Sequence, residues 1–473
     1  MNDHTFESFF GQTIECGCGK THRIEPRLVI YENGALRRLP AVLAEFASGR
    51  RVAIVMDART RTVAGAAAAE LLKSAGWTVG ELVVPDPAEG GTPVCDGHTH
   101  DALLNRLDSS DVILTVGSGV VNDLGKWIAF DRNLPHICFG TAASMNGYAS
   151  ANVAVAIDGV KSLIWARPAR AILADPAILR DAPFKLITAG LGDVLAKSVS
   201  SADWRLNNIL FGDYFCERSV SLIADIEPLY VEHPDGIREL NADAIEALFR
   251  ALLLTGVAMT MAGTSSPASG GEHLISHTLD MMSSLDDRGD EPGIPPADGL
   301  EQDSGPAKTG SPKPKAQSPK PSHDLHGRQV GVGTIIASEI YRRVIAIESP
   351  RFTRETAGVD PAFWGRLTEG VQSFYADKPA RIAAAVTALS TGNTWDRLRE
   401  SIAPMLRPPE QIRECLRRAG AAWRAEDLGC SRERLLDALL NAHVIRPRFT
   451  VLDLARVVGV LPREAEEIVE GWG

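Results

Sequence analysis

The chain has 473 residues, of which 45% are hydrophobic and 23% charged, a composition typical of globular proteins long enough for two domains. Its formal net charge of −11 disfavours nucleic acids and anionic membranes as partners. The N-terminal stretch has no basic segment followed by an apolar core, and no run approaches the roughly 20 apolar residues of a membrane span. We therefore expect a cytoplasmic protein.

The first unusual stretch is "ECGCGKTH", in which Cys16, Cys18 and His22 are spaced somewhat like the ligands of a metal knuckle. The Cys-x-Cys spacing is tighter than in usual structural zinc pairs, and no second cysteine pair follows nearby. The seven cysteines are scattered and odd in number, which indicates reduced thiols. We therefore interpret this stretch as a structural element without a metal.

Residues 27 to 180 alternate short β-branched runs with amphipathic segments, which predicts a mostly parallel sheet covered by helices on both faces. An added hairpin is predicted in "NVAVAIDGVKSLIWA", where Asp-Gly forms the turn. The predicted strands of the sheet are "RLVIY", "RVAIVMD", "WTVGELVV", "DVILTVG" and "PHICFG".

A glycine turn follows one of these strands in "DVILTVGSGVVNDLGKW". Gly117 and Gly119 allow close backbone approach, and a helix that begins at Val120 offers free N–H groups to an anion. The spacing differs from the usual G-x-G-x-x-G fingerprint. A phosphate or nucleotide site and an ordinary strand-to-helix turn therefore both stay open.

Asp57 ends the strand "RVAIVMD", where a carboxylate can accept hydrogen bonds from the ribose hydroxyls of a dinucleotide. Its alternative role is to cap the next helix. An aspartate at this place favours NAD over NADP, although Arg59 and Arg61 are placed to accommodate a 2′-phosphate.

The loop "FGTAASMNGYAS" follows the strand that ends at Phe139 and is rich in small hydroxyl residues, namely Thr141, Ser144 and Ser150. It comes at the carboxyl end of a strand, which is where open α/β sheets bind ligands. A helix N-cap with a turn is the alternative, and the residues of this loop alone favour that alternative.

From about residue 184 onward the pattern is helical, so we predict an α/β domain over 1–182 and an all-helical domain over 183–473. The apolar stretch "AIEALFRALLLTGVAMTMAG" is interrupted by Glu246 and Arg250, which indicates a buried helix and not a membrane span. Residues 285–322 are rich in proline and have no aromatic residue, which predicts a disordered surface insertion.

Three helical patterns carry residues that bind divalent metals. In "GGEHLISHTLDMM" His273 and His277 are one helical turn apart and therefore share a face. Asp193 follows two glycines in a second pattern, and His326 precedes a third. Together Asp193, His273 and His326 form a two-histidine, one-carboxylate set that leaves coordination positions open for substrate. Helix caps and polar residues at a helix edge are the alternatives.

Seven stretches, taken in order, resemble the sn-glycerol-1-phosphate dehydrogenase family, which belongs with the iron-containing alcohol dehydrogenases, glycerol dehydrogenases and dehydroquinate synthases. The resemblance covers nearly the whole chain except residues 285–322. It implies a Rossmann-like α/β dinucleotide-binding domain followed by an all-α metal-binding domain, as in dehydroquinate synthase. The stretches are "CGCGKTH", "TVGSGVVNDLGKW", "TAASMNGYAS", "GDVLAKSVSSADW", "EHLISHTLDM", "HGRQVGVGT" and "RPRFTVLDLA".

The resemblance also implies a role for each motif. Asp193, His273 and His326 would bind one divalent metal, most often zinc, with iron or nickel in relatives. His277, together with Asp193 and Asn146, would contact the substrate. The residues implied to bind NAD or NADP are Asp57, Gly117, Ser118, Gly119, Val120, Val121, Thr141, Ala142, Ala143, Ser144 and Ser150.

The implied reaction is the NAD(P)H-linked reduction of dihydroxyacetone phosphate to sn-glycerol 1-phosphate. The metal would polarise the carbonyl group, and His277 or a metal-bound water would supply a proton. Lys197 is a candidate for the substrate phosphate, or else a surface partner of Asp193. The family also implies a homo-oligomer that acts on a small phosphorylated ketone or polyol.

Two features depart from the family pattern. Asn146 stands where the family usually has aspartate, and an amide, unlike a carboxylate, can donate a hydrogen bond. The segment 285–322 separates two of the expected metal ligands, although a longer loop costs little extra free energy to close. A sugar-phosphate cyclase of the dehydroquinate synthase kind and a non-catalytic nucleotide-binding regulator are the alternative functions.

Overall fold

The computed structural model describes residues 3–87, 91–157, 159–286, 324–355 and 357–473. Leu285 and Asp286, the first two residues of the predicted insertion, end a helix, and the remainder of that insertion lies outside the described residues.

The strands of the described chain are β1 Thr13–Glu15, β2 Thr21–Arg23, β3 Leu28–Tyr31, β4 Arg51–Asp57, β5 Thr78–Val84, β6 Val112–Gly117, β7 His136–Gly140, β8 Asn152–Ile157, β9 Val160–Trp165 and β10 Ala171–Ala174. The helices of its first half are α1 Asp3–Phe9, α2 Leu39–Phe46, α3 Ala58–Thr60, α4 Ala66–Ser74, α5 Gly97–Leu104, α6 Gly119–Asp131, α7 Pro176–Arg180, α8 Phe184–Leu195, α9 Lys197–Phe211, α10 Glu217–Ser221, α11 Glu227–Val231 and α12 Asp235–Arg238. The later helices are α13 Ala242–Ala262, α14 Gly271–Asp286, α15 His326–Ile345, α16 Pro361–Trp364, α17 Thr368–Tyr375, α18 Lys378–Leu389, α19 Thr394–Ile402, α20 Pro409–Arg418, α21 Arg432–Asn441, α22 Val451–Val457 and α23 Ala465–Trp472.

Within the described residues, the central sheet is parallel and has the order β3-β10-β7-β6-β4-β5. After β4 the chain adds β5 on one side and then returns to add β6 on the other. The strand order therefore reverses between β4 and β6, and the crevice at their carboxyl ends is where open sheets bind ligands. Apolar residues of α2 and α4 pack on one face of the sheet, and those of α5 and α6 pack on the other.

The α/β fold class is confirmed, and the predicted strands and the β8–β9 hairpin are present. Strand β10 was not predicted, although it lies inside the sheet between β3 and β7. Its four residues are too few to show a periodicity. The β1–β2 hairpin was not predicted for the same reason.

From α8 onward, the described chain contains helices and no strands. The predicted domain division at residue 182 lies just before α8 and stays a prediction. Helix α13 is the one described helix long and apolar enough to cross a membrane, but 83% of its most apolar window is buried inside the protein. Its apolar side chains belong to a core formed with α8 and the short helices α10 to α12.

Candidate active site

Helices α8 and α15 cross at a contact made of glycines. A Cβ atom on Gly192 would lie 2.0 Å from the carbonyl oxygen of Gly327, and one on Gly327 would lie 2.0 Å from that of Ala189. A side chain at either glycine would push the two helices apart. The close crossing places Asp193, on α8, beside His326, the first residue of α15.

Helix α14 adds the other two histidines. The ring centroids of His273 and His277 are 6.1 Å apart, and each lies 5.1 Å from that of His326. One ligand atom each from Asp193, His273 and His326 lies within 4.8 Å of the other two. The fold therefore brings the three predicted ligands to one point.

Hydrogen bonds fix how two of the imidazoles are turned. His273 Nδ1 lies 2.8 Å from Glu272 Oε1. His326 Nδ1 lies 3.0 Å from Ser276 Oγ, which donates its own proton to Gln329 Oε1 at 2.9 Å. Because Nδ1 is engaged in both rings, Nε2 is the atom left to bind an ion, and such outer partners are typical of metal-binding histidines.

Asp193 is buried, and only one of its two carboxylate oxygens accepts a hydrogen bond. Its Oδ2 accepts the backbone N–H of Asn146 at 2.8 Å. Its Oδ1 is 3.5 Å from His273 Nε2 and has no hydrogen-bond partner among the described residues. A buried carboxylate oxygen without a donor is costly unless a cation lies against it. This oxygen and the two imidazole nitrogens suit one divalent cation.

The protonation states of the three histidines differ. Burial lowers the pKa of His273, but the carboxylates of Asp193 and Glu272 outweigh it and raise that pKa to about 9. Burial and the charge of His273 lower the pKa of His326 to about 4. Burial also holds the pKa of His277 well below its usual value. The carboxylates thus favour one positive charge at His273, which a bound cation would replace.

A second set of potential ligands overlaps the first. His277, Asp280 and His326 also offer ligand atoms within 4.8 Å of one another. However, Asp280 Oδ2 lies 3.0 Å from Lys161 Nζ, so its charge is already matched by a cation. Asp193 has no lysine or arginine partner of this kind among the described residues. The structure therefore favours the set that contains Asp193, and it leaves His277 free for the substrate.

Asp203 anchors the helices around this cluster, a role that sequence reasoning missed. Its buried carboxylate accepts the N–H groups of Gly271 and Val451, each at 2.7 Å, at the first residues of α14 and α22. Tyr341 donates a third hydrogen bond. Burial and the nearby charge of Glu272 raise the pKa of Asp203 to about 7. The residue stands in the family-like stretch "GDVLAKSVSSADW", which was the available signal.

The glycine turn lies at the crevice between β4 and β6. A Cβ atom on Gly117 would be 2.7 Å from the Val121 side chain, and Gly119 has a φ of +34°. Helix α6 begins at Gly119, one residue earlier than expected, and its first turn points to the crevice from the end of β6. The position suits a pyrophosphate group, because the N–H groups of a helix start attract anions.

Asp57 caps the helix that follows β4. Its Oδ1 accepts the N–H of Thr60 at 2.7 Å, and Thr60 Oγ1 accepts the N–H of Asp57 at 3.0 Å. Its Oδ2 lies 3.2 Å from Arg59 Nε, and Arg59 also pairs with Asp86. The alternative role as a cap is thus present, and it leaves lone pairs of the carboxylate for a ribose. Arg61 pairs with Glu81 at 2.9 Å.

The hydroxyl-rich loop joins the crevice to the metal-ligand cluster. The N–H of Thr141 donates to the carbonyl oxygen of Gly117 at 3.2 Å. At the other side, a Cβ atom on Gly190 would lie 2.0 Å from the carbonyl oxygen of Ala143, so the loop lies directly on α8. A short 3-10 helix at Asn146–Ala149 is the turn that the alternative interpretation expected. The Ser150 hydroxyl donates to the carbonyl oxygen of Gly147 at 3.3 Å.

Two buried residues that sequence reasoning missed hold this loop. Lys126 Nζ donates to the carbonyl oxygens of Gly147 and Asn152, each at 2.7 Å, and it lies 3.2 Å from Asp123 Oδ1. Tyr148 donates its hydroxyl to the carbonyl oxygen of Ala142 at 2.7 Å. Lys126 belongs to the family-like stretch "TVGSGVVNDLGKW", but nothing in that stretch predicts that its amine is buried.

Lys197 does not contact the cluster. Its amine is buried and donates to the carbonyl oxygen of Ser219 at 3.1 Å. Burial lowers the pKa of Lys197 to about 8. The expectation of a surface ion pair with Asp193 is therefore wrong, because the lysine ends inside the helical core. No contact among the described residues supports a role in phosphate binding.

Arg446 is a cation of the site that sequence reasoning did not assign. Its charge helps to lower the pKa of His277, as does that of Lys161. Its Nη1 donates to the carbonyl oxygen of Ile445 at 2.8 Å, but its buried Nη2 has no hydrogen-bond partner among the described residues. Burial and Arg448 lower the pKa of Arg446 to about 10. A guanidinium group in this state is suited to bind an anion.

The chain resembles known proteins along nearly its whole length. A family model described as iron-containing alcohol dehydrogenase matches residues 30–183. The glycerol-1-phosphate dehydrogenase (NAD(P)+) of Geobacillus stearothermophilus is 30% identical over 461 residues, which are 95% of this chain and 97% of the relative. That of Bacillus licheniformis is 27% identical and covers 98% and 96%. The crystal structure of glycerol dehydrogenase from Schizosaccharomyces pombe, at 16% identity, matches 94% of this chain and 91% of its own with a TM-score of 0.56, which shows the fold.

Proposed function

The chain belongs to the glycerol-1-phosphate dehydrogenase family, and we propose that it interconverts dihydroxyacetone phosphate and sn-glycerol 1-phosphate with NAD or NADP. The observation that carries this proposal is the buried, unpartnered Oδ1 of Asp193 facing His273. It supports a cation site next to a loop that also borders the dinucleotide crevice. An oxidoreductase of this kind needs both sites side by side.

One divalent cation would be held by Asp193, His273 and His326, with zinc favoured and iron or nickel as alternatives. When bound, the cation would polarise the substrate carbonyl group and the nicotinamide would supply or accept the hydride. Glu272 and Ser276 would keep the imidazoles turned toward the ion through their contacts with Nδ1.

The dinucleotide would lie across the carboxyl ends of β4 and β6. Gly117 to Val121 would bind the pyrophosphate, Asp57 the adenosine ribose, and Thr141 to Ser144 with Ser150 the nicotinamide half. NAD is favoured over NADP, because Arg59 and Arg61 already pair with carboxylates and would have to leave them to bind a 2′-phosphate.

His277 would transfer the proton of the substrate hydroxyl group. Its low pKa keeps the imidazole neutral at neutral pH, and its buried Nδ1 has no hydrogen-bond partner among the described residues. A neutral imidazole can accept the hydroxyl proton when glycerol 1-phosphate is oxidised and return it in the reduction. Asn146, whose backbone holds Asp193, would contact a substrate hydroxyl through its amide.

Arg446 would bind the substrate phosphate, with Lys161 contributing charge. Both cations add to burial in lowering the pKa of His277, which supports a position close to the substrate that His277 would contact. The unpartnered Nη2 of Arg446 supports this role, because a buried N–H group without an acceptor is costly and a phosphate oxygen would supply one.

The first experiment follows nicotinamide absorbance while the purified full chain is incubated with dihydroxyacetone phosphate, NADH or NADPH, and zinc. We expect oxidation of the cofactor, dependent on the metal, and a product of the 1-phosphate enantiomer. Metal-loaded, folded protein that oxidises neither cofactor would contradict the proposal. Turnover of a sugar phosphate without net cofactor oxidation would point to a cyclase.

Two substitutions test the assigned roles. His277→Ala should keep its metal and lose turnover. Arg446→Gln should raise KM for dihydroxyacetone phosphate more than it lowers kcat, by at least about tenfold for a charge-assisted pair. The exposed Arg424, also in the helical region, gives the control Arg424→Gln, which should leave KM unchanged. An equal KM in Arg446→Gln and the control would remove Arg446 from the phosphate site.

The cellular location and the assembly of the chain are proposals of a different kind. None of the seven cysteines, which all lie in the described part of the chain, forms a disulfide, and this supports a cytoplasmic location. Leu163 and Trp165 on β9 are exposed apolar residues and support assembly into a homo-oligomer through the β8–β9 hairpin. Light scattering of wild type and Trp165→Ser tests the second proposal, since the variant should dissociate.

A further inference from the structure

Three cysteines and a histidine form a second cluster near the C-terminal end of α13. Cys16, Cys18 and His22 come from the β1–β2 hairpin, and the fold adds Cys216, which precedes α10. The ligand atoms of these four residues all lie within 4.8 Å of one another. We propose that this cluster binds one structural zinc ion, separate from the ion of the active site.

Three of the distances between the ligand atoms are close to the edges of a tetrahedral zinc site. With Zn–S bonds of about 2.3 Å and a Zn–N bond of about 2.0 Å, the edges of the tetrahedron would be about 3.8 Å between sulfurs and about 3.5 Å between sulfur and nitrogen. Cys16 Sγ lies 3.8 Å from Cys216 Sγ. His22 Nε2 lies 3.6 Å from Cys216 Sγ and 3.2 Å from Cys18 Sγ. The atoms therefore stand close to where a bound ion would hold them.

The neighbours of the cluster orient it as the outer contacts of a metal site do. His22 Nδ1 lies 3.1 Å from the carbonyl oxygen of Met261, an acceptor, so Nδ1 carries the proton and Nε2 offers its lone pair to the cluster. The Tyr214 hydroxyl lies 3.2 Å from Cys18 Sγ, where it can donate to a thiolate. His22 and Cys216 are buried, which shields the nitrogen and one sulfur from water.

A disulfide explains the cluster less well. A bond between Cys16 and Cys216 requires the sulfurs to be about 2.05 Å apart, far closer than their 3.8 Å separation. It would also leave Cys18 and the oriented imidazole of His22 without a role. Three thiols and one imidazole satisfy all four positions of a structural zinc ion, which has no open position for substrate.

The location of the four ligands indicates which parts of the chain the zinc ion would hold together. The ligands join the N-terminal hairpin to the segment before α10, and the His22 contact reaches the last turn of α13. Trp204, Tyr214 and Phe215 form only a small apolar cluster around this junction. Zinc would therefore fasten the β1–β2 hairpin to the segment before α10, at a junction where apolar packing is limited.

Cobalt substitution of the full chain tests the proposal. Cobalt bound by thiolates gives a sulfur-to-metal charge-transfer band, which the oxygen and nitrogen ligands of the active site cannot give. We expect the wild type to bind two metal ions per chain and to show this band. Cys16→Ser should lose the band and one ion. The control Cys430→Ser, at another partly exposed cysteine, should keep both. A wild type without the band, or a freshly purified wild type with a Cys16–Cys216 disulfide by mass spectrometry, would overturn the proposal.

Two further measurements keep the test independent of folding and of the proposed reaction. If Cys16→Ser does not fold, thiol alkylation of the native wild type replaces it: a chelator should expose three additional reactive thiols, and an unchanged count would overturn the proposal. His273→Ala, which removes an active-site ligand, should retain the band. Failure of the dehydrogenase assignment would leave that band in place, so the two failures can be told apart.

Discussion

The Asp193 cluster and the cysteine cluster differ in how many coordination positions of a bound ion they would leave open. Asp193, His273 and His326 offer three hard or borderline ligands beside a loop that reaches the dinucleotide crevice, so an ion there would keep positions for substrate. The cysteine cluster offers four ligands, three of them soft thiols, and would close around its ion. The same fold thus supplies both kinds of site, and ligand number decides which of them can do chemistry.

The largest expected effect separates the two clusters by activity. His273→Ala removes a ligand whose ion would stabilise charge on the substrate oxygen by several kcal/mol, so kcat/KM should fall at least about a thousandfold. Enzyme assays and metal analysis of the same sample check this, with the exposed His233→Ala as the control. Wild-type activity in His273→Ala would break the comparison, because the Asp193 cluster would then be no more catalytic than the other.

A smaller effect is expected one contact away from the ion. Glu272→Gln keeps the shape of the side chain that contacts His273 Nδ1 but removes its charge. Metal affinity should fall about 10- to 100-fold, as for other outer partners of metal-binding histidines, and excess zinc should restore most of the activity. Competition with a chelator of known affinity measures the change. An unaltered affinity would show that Glu272 does not tune the ion.

The smallest effect on activity is expected at Lys197, which follows Asp193 closely in sequence but belongs to neither cluster. Its folded pKa of about 8 lies below the usual 10.5, so the unfolded chain binds more protons between these values. The free energy of unfolding should therefore rise by about 3 kcal/mol from pH 8 to 10.5. Denaturant titrations should show this rise in the wild type and in the exposed-site control Lys73→Met.

Lys197→Met should lack that rise and should keep its activity within about twofold, since removal of the amine leaves the metal ligands in place. A large loss of kcat in folded Lys197→Met would return this lysine to the active site. A pH slope equal to that of the wild type would show that its amine is not buried in solution.

The sequence predicted the elements that are long and periodic. The buried strands β4 and β6 were predicted from their short apolar runs. The helix carrying His273 and His277 was predicted from the helical spacing of its residues. Asp193 lies beside His326 because glycines allow α8 and α15 to cross closely. The spacing of residues in the sequence does not reveal this crossing. The three predicted metal ligands came from residue chemistry and family resemblance, and their assignment stays a prediction.

The residues that were missed share a physical reason. Cys216 stands 200 positions after Cys16, so the fourth possible ligand of the hairpin could not be read from nearby sequence. Arg446 and Lys126 are charged residues whose burial depends on helices and loops distant in the chain. The prediction for Lys197 was wrong for the opposite reason. Lys197 is close to Asp193 in the sequence, but its amine contacts the carbonyl oxygen of Ser219 instead.

The order of the sheet has a consequence for how the protein is made. Among the strands of the described residues, β3 lies at an edge of the central sheet and pairs only with β10, so Leu28 gains its partner only after Ala171 has been synthesised. A ribosome needs on the order of 10 s to synthesise the intervening chain. During that interval the other strands of the sheet can assemble while β3 stays unpaired. Strand β3, the first strand of the central sheet to be synthesised, is therefore among the last to join that sheet, and a nascent chain would meet chaperones with this strand still exposed.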